Sequence, residues 1–334
     1  MSSYERLVVI GASAGGVDAL RELAAALPPE FPAAVLMVLH VGAHESVLPS
    51  LIGARCALSV AHASDGEPLV NGTIRIAPPD RHMMVAYGKL RLTRSPKENF
   101  ARPAIDPLFR SAALASGRDV VGVVLTGMLD DGTAGLQAIK AAGGIAVVQD
   151  PADAQEPSMP ASALRHVAVD HCVALAQIAP LLTRLVSTPH PEGNTKMTEQ
   201  RGRIAHEQAL SLGTGDYIEH LRAIGEPSPM TCPECHGGLW HVSGSAPRRY
   251  RCHTGHAFTS RTLDLAVGRE ADAALWNALR ALHEYSLVLD ERVAQSRADN
   301  LGDEVARLEE ASRRVARQSR VLRQLLERAP DTPD

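Results

Sequence analysis

The sequence predicts an α/β fold built on a doubly wound, mostly parallel sheet, followed by a small cysteine-rich module and an antiparallel helical hairpin. Three observations carry this. The apolar runs Val8–Ile10, Ala34–Leu39 and Val120–Leu125 are continuous rather than alternating, as strands buried on both faces require, and helical patterns lie between them. Cys232-Pro233-Glu234-Cys235 and Cys252-His253-Thr254-Gly255-His256 are separated by sixteen residues. Beyond them, apolar residues recur at alternating spacings of four and three.

At 334 residues the chain exceeds one ordinary core. The expected divisions are an α/β domain over 1–187, a partly helical linker over 188–229, the cysteine module over 230–260 and the helical hairpin over 261–334. A formal charge of -4 gives no electrostatic case for nucleic acid. No apolar run reaches the length of a membrane helix, so no membrane insertion is expected, and Met1–Arg6 carries no apolar signal region. Five cysteines, three of them clustered, suit a reducing cytosol better than a disulfide framework, so a cytoplasmic protein is expected. Aromatic residues make up only 3%, which leaves the core to Ala, Val, Leu and Ile.

Val8–Ile10 runs into Gly11-Ala12-Ser13-Ala14-Gly15, and Val17, Leu20, Leu23, Ala24 and Leu27 follow at helical spacing: strand, sharp turn, helix. Ala34–Leu39 is a second strand ending at His40, and Leu58–Ala61 a short third. Gly72–Ala77, Met83–Ala86 and Lys89–Thr93 are expected as a β-meander, with Pro78-Pro79-Asp80 and Tyr87-Gly88 as its turns. A helix over Asp106–Ser116, the strand Val120–Leu125, a helix over Thr133–Ala142 and the strand Gly144–Val148 follow. Helices over Ala161–His166 and Val173–Val186 close the domain. Ser187–Asn194, with Pro189, Pro191 and Gly193, reads as a linker, and Thr195–Pro229 as polar and partly helical around Ile204–Leu212.

A parallel sheet gathers the carboxyl ends of its strands on one edge, where active sites collect. Ser13, His40 and Asp131, each just past the end of a buried strand, are therefore candidates to meet. A Gly-x-Ser-x-Gly turn lifts a hydroxyl above the sheet edge at a helix N-terminus, where backbone N–H groups can stabilise an oxyanion. A dinucleotide-binding loop would need glycine where Ser13 stands and an acidic residue where His40 stands. Taken singly, Ser13 also reads as an incidental serine in a glycine turn, His40 as a structural histidine and Asp131 as a helix N-cap. Asp130 reads as a carboxylate that perturbs the site beside Asp131 or, as the favoured reading, as a solvent-facing residue. His82 reads as structural or as a neighbour of the catalytic edge, and Arg102 as a contact to substrate or to a nearby carboxylate.

On five ordered stretches the chain resembles the catalytic domain of the CheB chemotaxis methylesterases: Ile10–Gly16, Leu39-His40, Gly72–Met83, Arg102–Phe109 and Gly122–Gly132. The resemblance runs from about Leu7 to Val186. It implies Ser13 as nucleophile, His40 as general base and Asp131 as the group that orients the histidine, with the backbone N–H groups of Met128 and Ala14 as the oxyanion hole. It further implies hydrolysis of glutamate γ-methyl esters on a chemoreceptor or a related signalling protein, with methanol released and no cofactor for catalysis. Some members also deamidate receptor glutamines. Two positions depart from the family pattern: Ala14 stands where members usually carry a small hydroxyl residue, and Leu129-Asp130 where Gly-Asn is common. Because the resemblance begins within the first ten residues, the usual phosphorylatable receiver domain is not expected here, and a separate regulator is expected in its place. The rival reading is a non-catalytic signalling adaptor that binds through the C-terminal module, which has no need of Ser13, His40 and Asp131 together.

A Cys-x-x-Cys turn presents two thiolates to one ion, and a second knuckle completes a tetrahedron. The predicted donors are Cys232, Cys235, Cys252 and His256, with His253 as the rival fourth. With Leu239–Val242 and Arg249–Arg251 as strands, this is a zinc-ribbon-like module whose ion is structural. A redox Cys-x-x-Cys is disfavoured by the third cysteine and the histidine. Arg248, Arg249 and Arg251 read as a nucleic-acid contact or, as the commoner case, a solvated face, and the latter is expected. In the hairpin, Leu275, Leu279, Leu282, Ser286, Leu289 and Val293, then Val305, Leu308, Ser312, Val315, Ser319, Leu322 and Leu326, form an a/d seam on either side of the turn Asp299–Asp303. The seam reads first as a private core and second as a docking surface, and the whole extension is a candidate element of localisation or regulation.

Overall fold

The computed structural model describes residues 6–188 and 198–328. Most of the expected linker Ser187–Asn194 lies outside them, as do residues 1–5 at the N-terminus. Two compact units are present, residues 1–263 and 264–334.

The first unit opens with β1 (Leu7–Ala12), α1 (Gly16–Ala25), β2 (Ala34–Leu39), α2 (Leu48–Gly53), β3 (Ser59–His62), β4 (Thr73–Ile76), β5 (His82–Ala86) and β6 (Lys89–Thr93). It continues with α3 (Ile105–Ser116), β7 (Val120–Val124), α4 (Thr133–Ala141), β8 (Ile145–Gln149), α5 (Ser158–His166), β9 (His171–Val173) and α6 (Leu175–Ser187). Seven strands form one sheet in the order β3-β4-β2-β1-β7-β8-β9, every pair parallel. Successive strand residues point to opposite faces. Leu7, Val9, Leu36 and Val38 accordingly enter one apolar layer with Phe109 and Leu136, while Val8, Ile10, Val35 and Met37 enter the other with Leu20, Leu23 and Leu182. The chain winds from β1 to β2 on one side and returns to β7 on the other, so β1 lies at the switch point.

The expected β-meander is not formed. β4 joins the large sheet, pairing in parallel with β2 and β3, while β5 and β6 make a separate antiparallel hairpin. The reason is burial: Ile74 and Ile76 are wholly enclosed beside the β2 strand, and the hairpin packs on α3 instead.

The rest of the unit holds α7 (Thr198–Leu212), α8 (Tyr217–Ile224), β10 (Gly225–Thr231), β11 (Gly238–Val242), β12 (Arg249–Cys252) and β13 (Ala257–Thr259). The last four form an antiparallel sheet in chain order. α8 and β10 lie in the stretch that sequence reading left as polar linker; β10 carries Pro227 and Pro229, which a strand tolerates only at an edge such as this. One small apolar cluster here is Leu210, Leu221, Ile224 and Val242, and Leu239, Tyr250 and Phe258 of the sheet are buried as well. Charge fills the remainder. Glu98 accepts from Arg110 at 2.6 Å and from Arg251 at 2.5 Å, and Glu207 from Arg249 at 2.7 and 2.9 Å. Arg249 and Arg251 are thus enclosed rather than solvated, because two carboxylates from distant segments meet them; Arg248 alone is exposed. Burial opposes ionisation of Glu98 and Glu207, but the facing guanidiniums outweigh it and hold both carboxyls below their ordinary range.

α9 (Ser260–Ala298) and α10 (Gly302–Arg328) follow. Within the second unit, Leu289, Val293, Leu308 and Val315 form a buried cluster, flanked by the ion pairs Arg292–Glu304 and Arg297–Glu309.

Candidate functional site

β2, β1 and β7 are adjacent, so the residues that follow them converge on one edge. Ser13 N–H donates to the Thr126 carbonyl at 2.9 Å, and His40 N–H to the Ala12 carbonyl at 3.3 Å. Gly15 adopts φ 73°, the left-handed conformation that turns the chain from β1 into α1. A Cβ on Gly127 would lie 2.8 Å from Ser13 Cβ, so glycine is what lets the loop after β7 approach the serine.

His40 joins the other two side chains. Its Nδ1 lies 3.0 Å from Ser13 Oγ and its Nε2 lies 2.8 Å from Asp131 Oδ2. For the ring to accept from the serine it must carry its proton on Nε2 and donate it to Asp131. Asp131 is 2% exposed and accepts from the Ile105 N–H at 2.7 Å, the Asp106 N–H at 3.3 Å and Asn99 Nδ2 at 3.2 Å. Burial opposes its charge, but the hydrogen bond and charge of His40, with the Ile105 and Asn99 donors, outweigh burial and keep its pKa low. Asp106, enclosed beside it, is driven upward by burial and by the Asp131 charge, so the pair holds one proton on Asp106.

Asp130 is not solvent-facing, contrary to expectation. It is 5% exposed and accepts from Thr259 Oγ1 at 3.0 Å, because the end of β13 covers the loop. Burial pushes its carboxyl up to about 6, against the Thr259 hydrogen bond. Asn99 and Thr259 were missed by sequence reasoning: they belong to no local motif and stand 160 residues apart, yet Thr259 N–H donates to Asn99 Oδ1 at 3.1 Å.

These residues edge a cleft of about 400 Å³ lined by Ser13, His40, Lys97, Phe100, Arg102 and Met128, among others. The Ala14 and Met128 N–H groups, unlike those of Ser13 and Gly127, have no hydrogen-bond partner among the described residues. Arg102 meets a carboxylate: Nε donates to Asp80 at 2.8 Å and Nη1 to the Ser95 carbonyl at 2.9 Å. His82 is enclosed between the Pro96 carbonyl and the Ala104 N–H, and burial lowers its pKa, so it serves as a neutral brace.

The second candidate site lies in the four-stranded sheet. The donor atoms of Cys232, Cys235, Cys252 and His256 all fall within 4.8 Å of one another. Cys235 Sγ is 3.7 Å from Cys252 Sγ, and His256 Nδ1 is 3.8 and 3.5 Å from Cys232 and Cys252 Sγ. Tetrahedral zinc with Zn–S bonds near 2.3 Å sets its sulfurs about 3.8 Å apart, so donor type and spacing both fit that ion. His253 points away, exposed, toward Gly237. 

Fold and first site together define a doubly wound, parallel α/β domain with a serine on a sharp strand-to-helix turn at the sheet edge. The CheB methylesterase family matches residues 8–182, and the chain belongs to it. A Leptospira interrogans protein provisionally named protein-glutamate methylesterase/protein-glutamine glutaminase is 36% identical over 189 residues, 55% of this chain and 95% of that one. A Bordetella pertussis protein-glutamate methylesterase/protein-glutamine glutaminase is 39% identical over 195 residues, 57% of this chain; this chain spans only 56% of that relative. The crystal structure of the Thermotoga maritima CheB methylesterase catalytic domain superposes with a TM-score of 0.52 at 33% identity, covering 54% of this chain and 98% of that one. Among the described residues, no helix is long and apolar enough to cross a membrane.

Proposed function

We propose that this protein is a serine esterase that hydrolyses glutamate γ-methyl esters on a chemoreceptor or a related signalling protein. The observation that carries the reading is the connected chain Ser13–His40–Asp131 opening on a cleft. His40 Nδ1 takes the Ser13 proton as Oγ bonds to the ester carbonyl carbon. The Met128 and Ala14 N–H groups receive the oxyanion. Asp131, ionised, holds the ring tautomer and stabilises the imidazolium. Collapse breaks the bond to methoxide, which leaves as methanol with the proton from His40. Water, deprotonated by the same nitrogen, then releases glutamate and restores Ser13. Glutamine deamidation follows the same acyl-enzyme with ammonia as the leaving group. No cofactor enters these steps.

The Cys232, Cys235, Cys252 and His256 cluster would hold a structural zinc ion; four protein donors leave no open position for catalysis. All five cysteines are unpaired, which supports a reducing, cytoplasmic setting. The adaptor reading leaves the connected chain of three side chains without a purpose, and the names of the relatives do not favour it.

Methanol release from a methylated receptor fragment is the test. The intact chain should release it, and Ser13→Ala should lower the rate by roughly 10⁴-fold or more. Equal release from both proteins would sink the assignment.

A further inference from the structure

The loop between β6 and α3 has two faces. One lines the cleft through Lys97, Asn99, Phe100, Ala101 and Arg102. The other is bound by the four-stranded sheet: Asn99 N–H donates to the Ala257 carbonyl at 2.9 Å, Ala257 N–H to the Lys97 carbonyl at 3.3 Å, and the Phe100 ring meets Phe258 edge-on at 6.2 Å. Asn99 and Phe100 have φ of 51° and 67°, left-handed conformations that consecutive non-glycine residues keep only when their surroundings impose them. The Asn99 side chain spans the two faces. Its Nδ2 donates to Asp131, and its Oδ1 accepts from the Thr259 N–H and from Thr262 Oγ1 at 3.2 Å. Thr259 Oγ1 in turn donates to Asp130, so both consecutive carboxylates of the loop after β7 are tied to the end of β13. Ala257, the first residue of β13, directly follows the metal donor His256.

We infer that the four-stranded sheet is a working part of the esterase site: a metal ion held by Cys232, Cys235, Cys252 and His256 fixes β13, β13 fixes the loop 97–102, and Asn99 sets the Asp131 carboxylate against His40. Asn99 and Thr259 are then positioning residues, and metal occupancy governs turnover. The inference rests on the esterase reading above. Displacements of an ångström at a site of this kind cost on the order of 10²-fold in rate.

The experiment uses the full chain, stripped of metal by a thiol-directed mercurial and chelator and then reloaded with Zn²⁺. Metal release is followed with a zinc-binding dye, methanol production gives kcat and KM, and a fluorophosphonate reports the reactivity of Ser13. Stripping should lower kcat roughly 10- to 100-fold with KM nearly unchanged, slow Ser13 labelling in parallel, and both should return with Zn²⁺. Asn99→Ala should behave like the stripped protein while retaining its metal. Should that variant fail to fold, Thr259→Val is the second arm: it keeps its metal, removes the hydroxyl donor to Asp130 beside Asp131, loses about 10-fold in kcat, and Thr259→Ser recovers it. Ser13-dependent methanol release that is indifferent to metal and to both substitutions overturns this inference and leaves the esterase standing. A metal-loaded wild-type chain with neither release nor Ser13 labelling overturns both.

Discussion

The large and small sheets of the first unit bury very different side chains. In the seven-stranded sheet, strand residues such as Val8, Leu36 and Val123 are enclosed in apolar clusters shared with neighbouring strands and flanking helices. In the four-stranded sheet the largest enclosed side chain is Arg251, and the buried apolar residues of its strands are few: Leu239, Val242, Tyr250 and Phe258. The first sheet gains its stability from area removed from water and needs nothing outside itself. The second depends on oppositely charged partners reaching it from Glu98 and Glu207, and it carries the cluster of Cys232, Cys235, Cys252 and His256, which is spaced to hold a metal ion. A region with too little apolar material to stand alone can still be well ordered, provided that its charges are met by specific groups on a neighbour.

The sharpest way to break this contrast is to remove one charge. Glu98→Ala leaves Arg110 and Arg251 with only their longer contacts to Glu207, at 3.6 and 4.0 Å, and should cost about 3–5 kcal/mol, read from the denaturant midpoint. Leu36→Ala in the large sheet should cost a similar amount, about 2–5 kcal/mol, by a cavity instead. The two differ in repair: adding Arg251→Met to Glu98→Ala should recover part of the loss, since one of the weakly paired charges is then gone. A Glu98→Ala penalty below about 1 kcal/mol would mean that the network contributes little.

Acid separates the sheets next. The folded pKa of Glu207 lies at about 2, below its ordinary 4.5, and that of Glu98 is lowered too. Their contribution is present above pH 4.5 and lost as the pH falls through the folded values. Amide hydrogen-exchange protection in β11 and β12 should therefore fail before that in β1 and β7 on acidification. Simultaneous failure would contradict the ionic account.

Asp130 carries the opposite sign and a smaller effect. Its folded pKa of about 6 lies above the ordinary 3.8, so its charge penalises the fold above pH 6, and the penalty fades as the pH drops toward 4. Asp130→Asn, which keeps an acceptor for Thr259, should raise stability at pH 8 by roughly 1–3 kcal/mol, with the gain shrinking to nothing near pH 4. A gain that is independent of pH would point to packing rather than charge.

What could be read from the sequence follows the same division. Val8–Ile10, Ala34–Leu39 and Val120–Leu125 announce themselves because a doubly covered strand is apolar throughout, and the structure brings Ser13, His40 and Asp131 together because those strands are neighbours. The cluster of Cys232, Cys235, Cys252 and His256 was legible because its sequence spacing is one that a single ion would impose. Arg249 and Arg251 looked like a wet surface because nothing nearby in sequence reveals that Glu98 and Glu207 will meet them. Asn99, Thr259 and the burial of Asp130 were hidden for the same reason: a polar contact between distant segments leaves no periodic trace. β10 was masked by its own prolines, and β4 by lying close in sequence to a hairpin that it does not join.

The Glu98–Arg251 contact spans 153 positions and is closed to solvent at both ends. Neither residue can be exchanged by a single substitution without leaving its partner ionised in a dry interior. The two positions are therefore expected to vary together across relatives that carry both halves of the chain. A lineage that shed the C-terminal sheet by recombination would leave Glu98 with Arg110 as its remaining guanidinium, inside the half of the chain that matches the family.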